Sequence, residues 1–129
     1  MASVFTKIIQ GELPSFKLHE DELTISILTL DQIRLGHSLV IPKVEVNHWF
    51  EVPEAHLLQV EKNAAKLSQA IRKATNCPRV LKAAIGFEVP HYHLHLIPAW
   101  SMADLNFSGA RKFPESEMKA MQALIISSL

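Results

Sequence analysis

Residues 89–100, VPHYHLHLIPAW, alternate imidazoles with apolar side chains at a period of two: His91, His93 and His95 against Tyr92, Leu94 and Leu96. A helix cannot keep such a pattern on two separate faces, because its side chains return about every 3.6 residues. A strand can, because successive side chains point to opposite sides. The segment therefore predicts a β-strand ending at Pro98, with three histidines on one face and Tyr92, Leu94 and Leu96 on the other. An apolar strand face has to be buried, so this stretch commits the chain to a fold built around a sheet.

The remaining segments supply the neighbours. SVFTKIIQGELP reads as a short helix capped by Ser3, with Phe5, Ile8 and Ile9 on its apolar side and Gly11 and Pro14 ending it. Phe16 and Leu18, then Leu23, Ile25 and Ile27, alternate as in strands, with EDE at 20–22 as the turn. LDQIRLGH at 30–37 is polar and irregular, broken at Gly36, and SLVIP at 38–42 is a buried strand closed by Pro42. Pro53 suits the first turn of a helix running to about Thr75. Along it Leu57, Val60, Ala64, Leu67, Ile71 and Ala74 recur at spacings of three and four, which gives one buried face, and NCP stops it. RVLKAAIGF reads as a strand interrupted at Gly86, and PESEMKAMQALIISSL as a C-terminal helix. Helix, strands, helix, strands, helix is the order of an α+β fold with a largely antiparallel sheet.

Composition narrows the partners. A chain of 129 residues fits one domain with a real core. Lys plus Arg equals Asp plus Glu at 13 each, so no global field gathers nucleic acid or an anionic membrane, and any phosphate recognition has to be local. Cys77 stands alone, which excludes an internal disulfide, and no CxxC pair is available for a structural zinc. The opening MASVFTKIIQGELP has no long apolar run, so neither a signal peptide nor a membrane span is expected, and a cytoplasmic protein is.

Three readings of the imidazole row remain open on the residues alone. A solvated sheet face explains one histidine well and three in register poorly, because desolvated imidazoles need partners. Metal binding has the right donors. Four strand steps of ~3.3 Å, however, separate the α-carbons of His91 and His95 by about 13 Å, while metal–nitrogen bonds are ~2.0 to 2.1 Å. A neighbouring pair would need a further ligand such as His37 or Glu88. The third reading is phosphate chemistry. A neutral imidazole is nucleophilic when its other nitrogen donates to a fixed acceptor, and an adjacent imidazole can hydrogen-bond a phosphate oxygen.

HYHLHLIP resembles the signature segment of the histidine triad (HIT) family, and two further segments agree with it. VFTKIIQGELPSFKLHED is similar to the family's opening segment, and LGHSLVIPK to its PGHTLVIPK segment. Order and spacing match from residue 4 to residue 98, and the chain looks closest to the nucleoside phosphoramidate hydrolases. The resemblance implies a single domain over 1–129 with a HIT-like fold: a five-stranded antiparallel sheet with helices, paired in a homodimer into a ten-stranded sheet. It implies His93 as nucleophile at the α-phosphorus of a purine nucleoside monophosphate derivative, forming a nucleotidyl-histidine that water releases. His95 would contact the α-phosphate, His91 would support the site, and His37 would fix the nucleophile's tautomer. No metal and no other cofactor is needed in that scheme. The nucleoside pocket would be formed by Val4, Phe5 and Ile8 with Ile27, Leu28, Thr29 and Leu30, bordered by Gly86, Phe87, Glu88 and Val89.

Three departures bear on substrate identity. Thr29 stands where many relatives carry an Asp for the ribose hydroxyls, with Asp31 two residues later. AAIGFEVPH lacks the longer Asn- and Gly-containing loop usual before the triad, and Phe87 stands where a Gln is common. Glu88 is read as a rim charge or a salt-bridge partner in preference to a proton donor to the leaving amine, and Trp100 and Phe107 as tail packing or dimer contacts.

Overall fold

Ser3 opens the first helix. Its hydroxyl accepts from the Thr6 N–H at 3.0 Å, and α1 covers Val4–Ile9 in a computed structural model that describes residues 2–129. Strands β1 (Phe16–Glu20) and β2 (Thr24–Leu28) follow, joined where the Asp21 carboxylate accepts from the N–H groups of Leu23 and Thr24 at 2.9 and 2.8 Å. This is the turn expected at 20–22. Strand β3 spans Ser38–Pro42, helix α2 Glu54–Thr75, β4 Arg79–Ala83, β5 Leu94–Ala99 and helix α3 Glu115–Ser128. The five strands form one sheet in the order β1-β2-β3-β5-β4, every neighbouring pair antiparallel. The expected α+β class and the five-stranded antiparallel sheet are what the chain folds into.

The period-two patterns sort the sheet into two faces. On one, α2 lays Val60, Ala64, Leu67 and Ile71 against Leu28, Val40, Tyr92, Leu94 and Leu96. Burial of Val60, Leu67 and Ile71 contributes ~1.5 to 3 kcal/mol each, and the helix starts after Pro53 without a side-chain cap. Helix α3 closes this layer with Met118, Met121 and Ile125. On the other face Phe5 of α1 packs on Ile25, Ile27, Leu39 and Ile41. Pairing places His95 opposite Leu39 of β3 and Ala83 of β4, so the imidazole side of β5 is the α1 side.

Several expectations are corrected at the ends of elements. Pro53 is the N-cap residue of α2, not its first turn, and Asn76 ends the helix in the left-handed conformation at φ 59°. Strand β4 stops at Ala83, ahead of Gly86, which lies at φ 82°. The histidine strand is shorter than its alternation suggests: β5 begins at Leu94, so His91 and His93 precede it and His95 alone of the three lies inside it. The residues before Leu94 turn toward the N-terminal segment, where the His91 ring finds partners that a flat sheet could not offer. Among the described residues no helix is long and apolar enough to cross a membrane.

Candidate active site

Four imidazoles gather on the α1 side, and backbone groups set the proton position on each. The His91 carbonyl lies 2.7 Å from His93 Nδ1. A carbonyl only accepts, so His93 Nδ1 carries the hydrogen and the lone pair of its neutral ring is on Nε2. His91 Nε2 likewise donates to the Pro42 carbonyl at 2.9 Å, which leaves its Nδ1 to accept from the Ser3 hydroxyl at 2.7 Å. The fourth ring is set from the loop before β3. The Ile33 N–H donates to His37 Nδ1 at 3.2 Å, so His37 Nε2 bears the hydrogen and donates to His95 Nδ1 at 2.9 Å. His95 then holds its own hydrogen on Nε2. The result is one imidazole with a free lone pair, His93, beside one with a free N–H, His95, ring centroids 4.9 Å apart.

The neutral state these assignments need is enforced by burial. His37 is held down to about 4 by burial and then by its neighbour His93, and His95 to about 3 by burial and by His93 and His37. Burial also lowers His91 and His93; for His93 the hydrogen bond to the His91 carbonyl and the Glu88 carboxylate pull the other way. Phe5 presents its edge to His93 at 4.7 Å and to His91 at 5.8 Å, while Phe107 meets His95 at 4.9 Å and His37 at 6.2 Å.

His37, His93 and His95 line a cleft of about 950 Å³. Val4, Phe5 and Ile8 of α1 form one wall, Ile27, Leu28, Thr29 and Leu30 another, and Gly86, Phe87, Glu88 and Val89 a border. Every residue expected at the nucleoside pocket thus lies on this surface, and so do three of the four histidines. His91 sits beneath it, fully buried. A family model of the HIT domain matches residues 10–102, and that range holds all four histidines. The chain belongs to the HIT family. Among relatives it is 37% identical over 100 residues to the adenylylsulfatase HINT3 of Arabidopsis thaliana, covering 74% of this chain and 51% of that protein. It is 35% identical to the adenosine 5′-monophosphoramidase HNT1 of Saccharomyces cerevisiae over 75% of its own length and 62% of the yeast protein. Its fold superposes on a hypothetical histidine triad nucleotide-binding protein of Sulfolobus tokodaii with a TM-score of 0.84 and 28% identity, covering 96% of this chain and 89% of that one.

Two readings change within this HIT site. His37 does not fix the tautomer of His93; the His91 carbonyl does, and His37 fixes His95 instead. Phe107 is not tail packing, because it stands against His95 and lines the cleft. Sequence reasoning also missed Gln32, which is fully buried in the 30–37 loop. Its amide donates to the carbonyls of Thr29 and His37 at 2.6 and 2.8 Å and its oxygen accepts from the N–H groups of Gly36 and His37 at 2.8 and 3.0 Å. This side chain shapes the loop that presents His37, and a Gln beside Asp31 in an irregular stretch gave no signal of it. Helix α3 adds Glu115, Lys119 and Gln122 to the cleft wall, although its sequence reads only as a C-terminal helix. Among the described residues no group of three or more His, Cys, Asp or Glu side chains is arranged to hold a metal ion.

Proposed function

We propose that this HIT protein is a nucleotide hydrolase acting at the α-phosphorus of a nucleoside phosphoramidate, adenylate or related purine mononucleotide, with His93 as nucleophile. The observation that carries this reading is the donation from His93 Nδ1 to the His91 carbonyl at 2.7 Å, which directs the Nε2 lone pair to the cleft side. The Nε2–P bond forms as the bond from phosphorus to the leaving group breaks, and the leaving atom departs with the electron pair and takes a proton from water at the cleft mouth. Water then attacks the nucleotidyl-histidine, releases a nucleoside monophosphate and returns the ring. His95 Nε2–H donates to a non-bridging oxygen as its charge grows. The nucleoside lies along Phe5, Ile8, Ile27 and Thr29. The names of the yeast and plant relatives, a phosphoramidase and an adenylylsulfatase, support this class of substrate.

Rapid quench of the enzyme with an adenosine phosphoramidate tests the intermediate. An acid-labile adenylyl group mapped to His93 by mass spectrometry is the expected result, and turnover without it overturns the nucleophile. Dialysis against a strong chelator is expected to leave the rate within about twofold, far from the loss that follows removal of an essential metal.

We also propose that the molecule pairs with a second copy through β4. The apolar α2 face from Leu57 to Ala74 is not available for this, since most of it covers the protein's own sheet. Strand β4 pairs only with β5, so its outer edge is open, and an open edge is a pairing surface. Two copies joined there make a ten-stranded sheet. Sedimentation at micromolar concentration should return a mass near twice 14.5 kDa.

A further inference from the structure

The proposed reaction is on a phosphate, yet the fixed charges of the cleft are mostly negative. Four charged side chains line it: Asp31, Glu88, Glu115 and Lys119. Three are carboxylates, and the one ammonium, Lys119, lies 3.5 Å from Glu115. No arginine lines the cleft among the described residues. Sites that hold polyphosphate or sulfate supply guanidinium or ammonium groups to them. Here the four imidazoles do not supply positive charge either, since burial keeps them neutral.

Glu88 stands apart from the other two carboxylates. Asp31 has Lys112 at 3.5 Å and Glu115 has Lys119, whereas no cation of the described residues pairs with Glu88. It sits on the short segment between Ala83 and Leu94 that leads into the histidines, where the His91 N–H donates to the Val89 carbonyl at 2.8 Å and ties the segment to the site. Its field reaches the His93 ring. Beside it Phe87 is 95% exposed, an apolar surface at the mouth with no protein neighbour to cover it.

Resting on the proposed α-phosphoryl chemistry, we infer that the cleft selects a leaving group that is an amine bearing a positive charge, and that Glu88 is the side chain that selects it. Its carboxylate attracts an ammonium on the departing amine, while Phe87 covers the carbon chain that links that ammonium to the scissile nitrogen. The P–N bond breaks with its electron pair going to the amine nitrogen, which is protonated by water, so no further reactant is required. The same carboxylate repels sulfate, pyrophosphate and longer polyphosphate chains, so these leave poorly from this enzyme whatever their chemical reactivity.

Three probes separate the charge from the chemistry: adenosine 5′-phosphoramidates carrying an N-(2-aminoethyl) or an N-propyl chain, and adenylyl sulfate. The first two have the same length and differ by one positive charge. For unit charges ~6 Å apart in a cleft open to water, attraction is worth on the order of three- to tenfold. Wild type should therefore prefer aminoethyl over propyl in kcat/KM by about that factor. Glu88→Gln should bring the ratio to about one, and Glu88→Lys should invert it and raise adenylyl sulfate relative to propyl. High salt should shrink the wild-type ratio, because an open charge pair is screened within a Debye length. Residue 88 is exposed, so both variants are expected to melt with wild type. Turnover of all three probes at ratios indifferent to residue 88 overturns this inference and leaves the histidine chemistry standing. Turnover of none by folded wild type overturns the proposed function, and this inference with it.

Discussion

The floor of the cleft and its rim are made in opposite ways. On the floor, each of the four imidazoles is buried or nearly so and is tied by at least one hydrogen bond, three of them to backbone groups at Pro42, His91 and Ile33. On the rim, Leu30, Ile85, Phe87 and Glu88 are exposed and have few partners. A preorganised floor stabilises developing charge without reorganisation during the reaction. A sparse rim leaves recognition to whatever the ligand brings. The difference assigns reaction type to the floor and substrate choice to the rim, and substitutions should show it: large rate losses below, modest changes of preference above.

The largest effect is expected at the centre of the floor. His93→Ala removes the proposed nucleophile and should lower kcat by on the order of 10⁴-fold or more. Near-normal turnover by a folded variant, measured with a phosphoramidate, would break the assignment. His95→Ala removes a donor to the phosphoryl oxygen and leaves the nucleophile in place. Its loss should be smaller, on the order of 10² to 10³, and should fall on kcat more than on KM. A loss confined to KM would move His95 from the reaction to simple binding.

Acidity probes the same floor through burial. The proposed reaction uses His93 in its neutral form, and burial holds its pKa below the ordinary 6.5. The rate should be level through neutrality and fall only below pH 6.5, by about tenfold per unit once the ring protonates. Stability should follow with the same sign. In the unfolded chain the histidines take up protons near 6.5, whereas in the fold His37 does so near 4 and His95 near 3. The unfolded state thus binds more protons between these values, and stability is lost as pH falls from 6.5 toward 3. Thermal melts across that range check the linkage: the melting temperature should fall along with the rate, because His93, His37 and His95 are all lowered by burial. An acid limb above 6.5 would mean that burial does not govern the nucleophile.

Floor and rim also differ in how far the sequence foretells them. The alternation from His91 to Leu96 announces both a strand and its two faces, because side-chain direction in a strand follows from position alone. It overstates the strand, since period two also describes an extended approach such as 91–93 that never joins the ladder. The α2 face is legible for the same reason at a helical period, although its burial on the protein's own sheet is not distinguishable from burial on a partner. What the pattern cannot carry is contact between distant segments. Ser3 to His91 spans 88 residues and His37 to His95 spans 58. Gln32 and Phe107 matter only through such folded neighbours. The tautomers follow from which backbone carbonyl or N–H faces each ring, and no local pattern encodes that.

The smallest predicted effect lies where the rim meets the nucleoside. Thr29 lines the cleft on a backbone fixed from both sides: its N–H donates to the His37 carbonyl at 3.2 Å, and its carbonyl accepts from the Gln32 amide at 2.6 Å. A substitution there should change the side chain and little else. A hydrogen bond to a charged group contributes ~1.5 to 3 kcal/mol, against ~0.5 to 1.5 kcal/mol for a neutral one. The difference, roughly 1 kcal/mol, is about fivefold in affinity. Thr29→Asp should therefore tighten a nucleoside monophosphate by a few fold, with no gain for its 2′,3′-dideoxy analogue, which has no hydroxyls to offer. Calorimetric titration of both proteins with both ligands supplies the four affinities. Asp31 also lines the cleft two residues on, so it is the competing acceptor. If Thr29→Asp weakens the ribonucleotide, or shifts both ligands equally, the ribose lies against Asp31. In that event Asp31→Asn should weaken the ribonucleotide by about the same fivefold and spare the dideoxy analogue.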